Sequence, residues 1–186
     1  KKYHEAGEVL SEEIANEGIV LLKNENNALP LTDKKMNLFG VSSFNFRYGG
    51  GGSGGSDTSR AITLYDGLEE AGISYNQELK EFYQGMPEVK ESGSSSTGLM
   101  QIAQMMFSGN ENDEPEIDYL TDDVLKQAKD YSDNAMIVIA SSGVESSDMS
   151  DEDLKISDNT KALNNRVAEE FDNITVVVNA GNPIEL

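Results

Sequence analysis

The carboxyl groups of Glu145 and Asp148 are the side chains of this sequence whose type and position could carry chemistry. Both lie in residues 141–148, SSGVESSD, directly after the apolar run AMIVIA of residues 135–140. Open α/β sheets place their sites at the carboxyl ends of strands, where this polar segment is expected. Carboxyl groups in such a place exchange protons or bind ligands, whereas on an open surface they are solvated charge. The pattern alone leaves both interpretations open.

A glycine-rich segment, YGGGGSGGS at residues 48–56, is a second candidate site. Backbone amides without bulky side chains can cradle phosphate. A P-loop, however, needs a lysine before the Ser or Thr that opens its helix, and here Ser56, Asp57 and Thr58 follow instead. A dinucleotide fingerprint would also need a strand, the motif and a ribose-binding acid in order. The segment therefore fits a flexible turn, or a tight loop at the rim of a site, better than a phosphate cradle.

Composition excludes several classes of function. The 186 residues, 37% of them hydrophobic, fit about one domain with one core. A formal net charge of −20 opposes binding to phosphate backbones and anionic lipids, and no apolar stretch approaches the ~18 residues of a membrane helix. No nucleic acid or membrane partner is therefore expected. With no cysteine and a single histidine, His4, we also expect no disulfide, zinc site or histidine-based triad.

The sequence does not decide the compartment. The lack of cysteine is compatible with both oxidising and reducing surroundings. The opening residues, KKYH, contain no hydrophobic stretch, so we expect no secretion signal in them. A larger parent protein that is exported or displayed on a bacterial cell surface is compatible with both observations.

Apolar runs alternate with amphipathic helices, the order typical of a largely parallel sheet with helices on its faces. Residues 85–115, rich in Ser, Gly, Asn and Glu, are predicted to be an insertion that is partly mobile. Strands are predicted at residues 19–22, 36–41, 73–75, 135–140 and 174–178. Helices are predicted around residues 6–15, 62–71, 79–83, 99–107, 121–128 and 157–171, the last two capped by Thr121 and Ser157.

Several of these segments resemble glycoside hydrolase family 3, the β-glucosidase family. Residues 17–31, EGIVLLKNENNALPL, resemble the opening of the second domain of that family. Residues 52–54, GSG, and 63–68, TLYDGL, resemble its Gly-Ser-Gly element and the helix start behind it. The final residues 179–186, NAGNPIEL, form a turn after a strand in a local interpretation and resemble the strand exit of the same domain.

The resemblance implies a fold and an organisation. The fold would be a three-layer α/β/α sandwich with a mostly parallel sheet, incomplete at its C-terminal end. Residues 1–186 would form this one domain, with residues 85–115 as a flexible insertion. The (β/α)₈ barrel domain of the family, which needs ~250 residues, would lie elsewhere in the parent protein.

The resemblance also implies roles for the acidic loop. Residues 142–148 are similar to the Ser-Gly-Glu-Gly-x-Asp loop of the family if Val144 is an inserted residue, which makes Glu145 the general acid/base and leaves Asp148 to bind sugar hydroxyls. Retaining glycosidases use two carboxyl groups about 5 to 5.5 Å apart. In this family the second one, the nucleophile, is an aspartate in a Ser-Asp-Trp-like motif of the barrel. The implied substrate is a β-linked glucoside, oligosaccharide or xyloside, and no cofactor is implied.

Two other functions stay open. Ser146 stands where the family has a glycine, and Met149 where a basic residue is usual. These departures would suit a non-catalytic domain that contacts carbohydrate or another protein. A flavodoxin-like small-ligand domain is the third hypothesis. In each case we expect this chain alone to be inactive as a hydrolase, because the nucleophile would be missing.

Overall fold

A computed structural model of the chain describes residues 2–49, 58, 60–89, 114–141 and 148–186. The chain divides into two compact units, Lys1–Thr32 and Asp33–Leu186. The predicted helix at residues 99–107 and most of the glycine-rich segment lie outside the described residues. Within the described ranges, no helix has the length and apolar character needed to cross a membrane.

The first unit contains the predicted N-terminal helix but not the predicted strand. Helix α1 spans Lys2–Gly18. The apolar residues Ile19 to Leu22 that follow it form neither helix nor strand, and their side chains are 63% to 77% exposed. The prediction of a buried strand here is wrong. An apolar run becomes a strand only where a neighbouring strand supplies main-chain hydrogen bonds, and local composition cannot provide that neighbour.

The described residues of the second unit form a parallel sheet of four strands. The strand order is β2-β1-β3-β4, and every pair is parallel. The predicted α/β class with a mostly parallel sheet is therefore confirmed. The strands are β1 (Lys35–Phe39), β2 (Ser74–Tyr75), β3 (Asn134–Ser141) and β4 (Asn173–Ala180).

Four helices accompany this sheet in the described residues, and each begins at a side chain that caps it. The caps Thr63, Asn76, Thr121 and Ser157 all accept a hydrogen bond from a backbone amide of the first turn. Such a cap stabilises a helix by about 1 kcal/mol. Because a cap acts on the first turn of its own helix, the starts at Thr121 and Ser157 could be predicted from the sequence. The helices are α2 (Leu64–Glu70), α3 (Gln77–Gln84), α4 (Asp122–Tyr131) and α5 (Asp158–Ala168); short 3₁₀ turns span Val41–Ser43 and Ile117–Tyr119.

The core lies against the two central strands. Phe39 of β1 stands beside Ile137 of β3 in the register of the sheet, and its ring meets the ring of Phe171 edge-on, with centroids 5.4 Å apart. Strand β3 is buried on both faces, since neighbouring residues that point in opposite directions are buried at every position except the half-buried Ala140. The other members of this core are Leu79, Tyr83, Leu120, Leu125, Ala128, Ala135, Leu163 and Val167.

A buried asparagine fixes the amino ends of β1 and β3. Asn37 is fully buried in β1, and its side-chain amide donates to the carbonyls of Ser132 and Asn134 at 2.9 and 3.2 Å. Its side-chain oxygen accepts a hydrogen bond of 2.9 Å from the side-chain amide of Asn76. Because a buried amide is costly when its hydrogen bonds are lost, this arrangement penalises any slip of β1 along β3.

The turn after β1 depends on Gly40. Its φ angle of +85° lies in a region that residues with a side chain rarely adopt. A Cβ added there would also lie 2.8 Å from Cδ2 of Leu163 and 3.1 Å from Oε2 of Glu114. No such obstacle exists at Gly67 in α2, where nothing lies within 4 Å of the added atom.

We predict that Gly40→Ala and Gly67→Ala change stability in opposite directions. Gly40→Ala should lower the free energy of unfolding by about 2 to 3 kcal/mol, because it adds backbone strain and a clash. Gly67→Ala, the matched control, should raise it by about 0.5 to 1 kcal/mol through helix propensity. Chemical denaturation of both variants measures these changes. A Gly40→Ala protein as stable as the wild type would contradict the positive φ angle and the close contacts of Gly40.

Candidate active site

The carboxyl end of β3 is tied to the residues that follow β4. Ser141, the last residue of β3, is buried. Its carbonyl accepts the backbone amide of Gly181 at 3.1 Å, and its hydroxyl donates to Oδ1 of Asn182 at 3.1 Å. The side-chain nitrogen Nδ2 of Asn182 donates to the carbonyl of Pro183 at 2.8 Å. This bond orients the side-chain oxygen Oδ1 toward Ser141. Both ends of this contact are therefore fixed where the acidic loop begins.

The same C-terminal residues also contact Leu154 and Lys155, which lie downstream of residues 142–148 in the sequence. The backbone amide of Glu185 donates to the carbonyl of Leu154 at 2.7 Å, and Lys155 and Glu185 form a parallel β-bridge. Just before this contact, the backbone and the hydroxyl of Ser150 both donate to the carboxylate of Asp153, at 2.8 and 2.7 Å. This local turn holds the carboxylate of Asp153 and lowers its pKa.

The segment after β1 crosses toward β4 at the same edge. The side-chain amide of Asn179 pairs with the backbone of Arg47: its oxygen accepts the amide at 2.8 Å and its nitrogen donates to the carbonyl at 3.1 Å. Upstream, the ring of Phe44 packs on Tyr65 and Tyr83, with centroids 5.0 and 5.4 Å apart. Since β3 lies between β1 and β4, residues 40–48 are placed beside the carboxyl end of β3.

A buried carboxyl group holds the start of this segment. Glu114 is only 4% exposed and accepts the backbone amide of Val41 at 2.9 Å. The hydroxyl of Tyr119 donates to its other oxygen. The adjacent amide of Gly40 donates to the hydroxyl of Tyr83 at 2.9 Å. The turn after β1 is thus fastened by side chains from two other parts of the chain.

Burial dominates the titration of this cluster. Loss of solvent raises the pKa of Glu114 above its usual range, and the hydrogen bonds from Tyr119 and Val41 only partly oppose that effect. A more distant carboxylate, Glu88, raises the same pKa further. Burial likewise raises the pKa of Tyr119 and of Tyr83, so both phenols stay neutral and act as hydrogen-bonding groups.

Of the two predicted site residues, the structure describes only Asp148. Glu145 lies in residues 142–147, outside the described part of the chain. Asp148 is described, and its side chain is exposed. The structure brings residues 141 and 154–155, which precede and follow them in the sequence, into contact with residues 181–185. In the described ranges, no group of three or more His, Cys, Asp or Glu side chains could hold a metal ion.

The sequence matches the family model described as "Glycosyl hydrolase family 3 C-terminal domain" over residues 19–186. This match covers most of the chain and includes both ends of the four-stranded sheet. The chain belongs to glycosyl hydrolase family 3. The family predicted from the EGIVLLKN, TLYDGL and GNPIEL segments is therefore confirmed.

Two curated relatives match nearly the whole chain. Beta-glucosidase A of Butyrivibrio fibrisolvens is 30% identical over 95% of this chain, and the match takes up 23% of that protein. A beta-glucosidase of Ruminococcus albus is 28% identical over 94% of this chain, which corresponds to 18% of its length. The chain thus spans about a fifth of each relative.

Solved structures of beta-glucosidases contain the same fold. Beta-glucosidase 3B of Thermotoga neapolitana, in complex with α-D-glucose, superposes with a TM-score of 0.73 at 27% identity. That match covers 98% of this chain and 25% of the larger protein. A beta-glucosidase of Paenibacillus barengoltzii gives a TM-score of 0.68 at 26% identity, over 90% of this chain and 18% of that one.

The sequence interpretation missed Glu114 and its partners. Glu114 stands in the middle of the acidic run NENDEPEID, near the end of the predicted insertion of residues 85–115. Such a run predicts a solvated surface, and no local signal separates this one buried glutamate from its neighbours. Only Pro115, directly after it, marks a fixed backbone position. The sequence predicts Asn179 only as part of a turn, whereas its side chain holds the segment after β1.

We predict that Glu114→Gln becomes relatively more stable as the pH rises. A carboxyl group whose pKa is raised by folding contributes stability that is present below its usual pKa of 4.5 and is lost as the pH rises through the folded value. Glutamine has a similar shape but never ionises. The free energy of unfolding of Glu114→Gln minus that of the wild type should therefore increase between about pH 4 and pH 8.

Glu116→Gln is the matched control for this measurement, because Glu116 is two residues away and exposed. Its difference from the wild type should stay flat over the same pH range. Chemical denaturation at a series of pH values gives both differences. Parallel curves for the two variants would show that Glu114 titrates as an ordinary surface carboxyl.

Proposed function

We propose that this chain is the second domain of a retaining β-glucosidase-like hydrolase and that Glu145 is its general acid/base. The main support is the family match over residues 19–186 together with relatives named beta-glucosidases. A second support is position: residues 142–147 directly follow β3, at the carboxyl edge where parallel sheets carry their sites.

The proposed reaction needs a second carboxyl group from outside this chain. The nucleophile would be an aspartate of a separate (β/α)₈ barrel domain in the same parent protein. Glu145 would protonate the glycosidic oxygen while the aspartate forms a glycosyl-enzyme bond, and would then deprotonate the water that hydrolyses this bond. Burial against the barrel and the nearby like charge would raise the pKa of Glu145, as proton donation at neutral pH requires.

Asp148 would serve the substrate rather than the proton transfer. Its exposed side chain lies at the far end of the acidic loop, where it is free to face a second domain. A carboxylate accepts hydrogen bonds from the hydroxyl groups of a sugar. The proposed substrate is accordingly a β-linked glucoside or oligosaccharide, and no cofactor takes part.

We predict that Glu145→Ala in the full-length protein lowers kcat on aryl β-glucosides by about 10² to 10⁴-fold. Azide should restore part of the turnover, because it attacks the glycosyl-enzyme without needing a general base, and the product should be a β-glucosyl azide. The control is Glu152→Ala, which removes an exposed acid of the same region that pairs with Lys155. Wild-type activity of Glu145→Ala would remove Glu145 from the site and would favour the non-catalytic hypothesis.

We further predict that residues 1–186 alone release no p-nitrophenol from aryl β-glucosides, since the nucleophile would be absent. Adding the barrel domain in the same polypeptide should restore turnover. The measurement is the rate of p-nitrophenol release for both proteins at equal concentration. Hydrolysis by the isolated chain would place both carboxyl groups on it and overturn the two-domain site.

A further inference from the structure

Glu114 and the phenols of Tyr83 and Tyr119 form a buried chain of hydrogen bonds, which we name the carboxyl–phenol cluster. One oxygen of the Glu114 carboxyl group accepts the hydroxyl of Tyr119, and the hydroxyls of Tyr119 and Tyr83 lie 3.4 Å apart. Each end of this chain binds a backbone amide of the turn after β1. Tyr83 accepts the amide of Gly40 at 2.9 Å, and the other oxygen of Glu114 accepts that of Val41 at 2.9 Å. A change in the protonation of the cluster therefore acts directly on that turn.

The rest of the turn is built on the two residues that the cluster holds. The backbone amides of Ser43, Phe44 and Asn45 donate to the carbonyl of Gly40 or Val41, at 2.9 to 3.1 Å. Gly40 and Val41 cannot move away without loss of these bonds. The hydrogen exchange of the amides in residues 40–45 therefore reports whether the cluster holds the turn.

The surroundings of Glu114 supply no balancing positive charge within the described part of the chain. No lysine, arginine or histidine there forms an ion pair with it. The titratable groups that act on it are the phenols of Tyr119 and Tyr83 and the like charge of Glu88, which follows helix α3. Helix α5 contributes the uncharged side-chain amide of Asn159, which donates to the carbonyl of Glu114 at 2.9 Å. An ionised Glu114 therefore keeps much of its cost of desolvation, which a protonated one avoids.

We propose that the carboxyl–phenol cluster is a pH-sensitive switch, which holds the turn after β1 firmly while Glu114 carries a proton and loosens it when Glu114 is ionised. In the ionised form, Tyr119 donates to the carboxylate. When Glu114 takes a proton from solvent, it donates to Tyr119, which then donates to Tyr83. Either phenol can be the donor in that pair. Val41 keeps its acceptor in both forms, because the second oxygen of a protonated carboxyl group still accepts a hydrogen bond.

The direction of the switch follows from burial. Loss of solvent raises the pKa of Glu114, so the closed turn binds the proton more tightly than an open turn, in which the carboxyl group is hydrated. The stabilisation of the closed turn is therefore complete below the usual pKa of 4.5 and is lost as the pH rises through the folded pKa. The switch does not depend on the proposed function, since none of its groups belongs to the acidic loop.

Hydrogen exchange of the protein between pH 4 and pH 8 tests the switch. After correction for the intrinsic effect of pH on exchange, the protection of peptides covering residues 40–46 should fall by up to about tenfold per pH unit and then level off above the folded pKa. Protection of β3 should be higher throughout, because the turn opens without unfolding of the sheet. Equal protection of the turn and of β3 at every pH would overturn a local switch.

Glu114→Gln should remove this fall in protection. Like the protonated carboxyl group, a glutamine amide can accept from Val41 and donate to Tyr119, and it does not ionise. Glu116→Gln, which changes an exposed carboxyl group two residues away, should keep the wild-type profile. A fall that persists in Glu114→Gln would overturn the switch, as would a flat wild-type profile.

Tyr119→Phe tests the chain of hydrogen bonds separately and does not require that Glu114→Gln folds. It removes a hydrogen bond that favours the ionised carboxyl group, so the pKa of Glu114 should rise and the fall in protection should extend to higher pH. The matched control is Tyr131→Phe, at a half-buried tyrosine of α4 whose ring lies 5.6 Å from Nζ of Lys35. Its profile should level off at the wild-type pH. The same limit in Tyr119→Phe as in the wild type would overturn the role of the phenols.

Discussion

The structure depends on one constraint, the burial of β3 on both faces between β1 and β4. A strand buried in this way is held in one register, because a slip of one residue would turn every side chain to the opposite face, where the space is shaped for a different residue. The parallel strands must then end at the same edge. The carboxyl ends of β1, β3 and β4 consequently lie side by side, and every contact of the candidate site is built on that alignment.

Polar side chains at the two edges reinforce the alignment in different ways. At the amino edge, the fully buried Asn37 is bonded to residues that flank the start of β3, so it acts on the register of the strands. At the carboxyl edge, Glu114, Asn179 and Asn182 bind backbone or side chains of the connecting segments and so act on the course of the loops. The energetic reason is the same for the two buried groups, Asn37 and Glu114, since a buried amide or carboxylate without its partner costs more than the bond contributes when it forms.

Local signals recovered most of the elements but failed where a distant partner was needed. Thr121 and Ser157 cap their helices as predicted, because an N-cap acts on the amides of its own first turn. The run of Ile19 to Leu22 has the composition of a buried strand and is instead exposed. Glu114 shows the opposite failure, since it is an acidic residue in an acidic run and is nevertheless buried. It is held by Tyr119, a few residues away, and by the backbone of Val41, which is distant in the sequence.

The sequence by itself determined the family, the α/β class, the order of strands and helices among the described residues of the second unit, and the place of Glu145 and Asp148 in the sequence, shortly after a buried strand. These features follow from composition, periodicity and short motifs, which act within a few residues. Tertiary structure alone decided that residues 181–185 meet both Ser141 and Leu154, that Asn179 holds Arg47, and that Glu114 is buried. Such contacts join residues far apart in the chain, and only the pairing and burial of the parallel strands bring them within hydrogen-bonding distance.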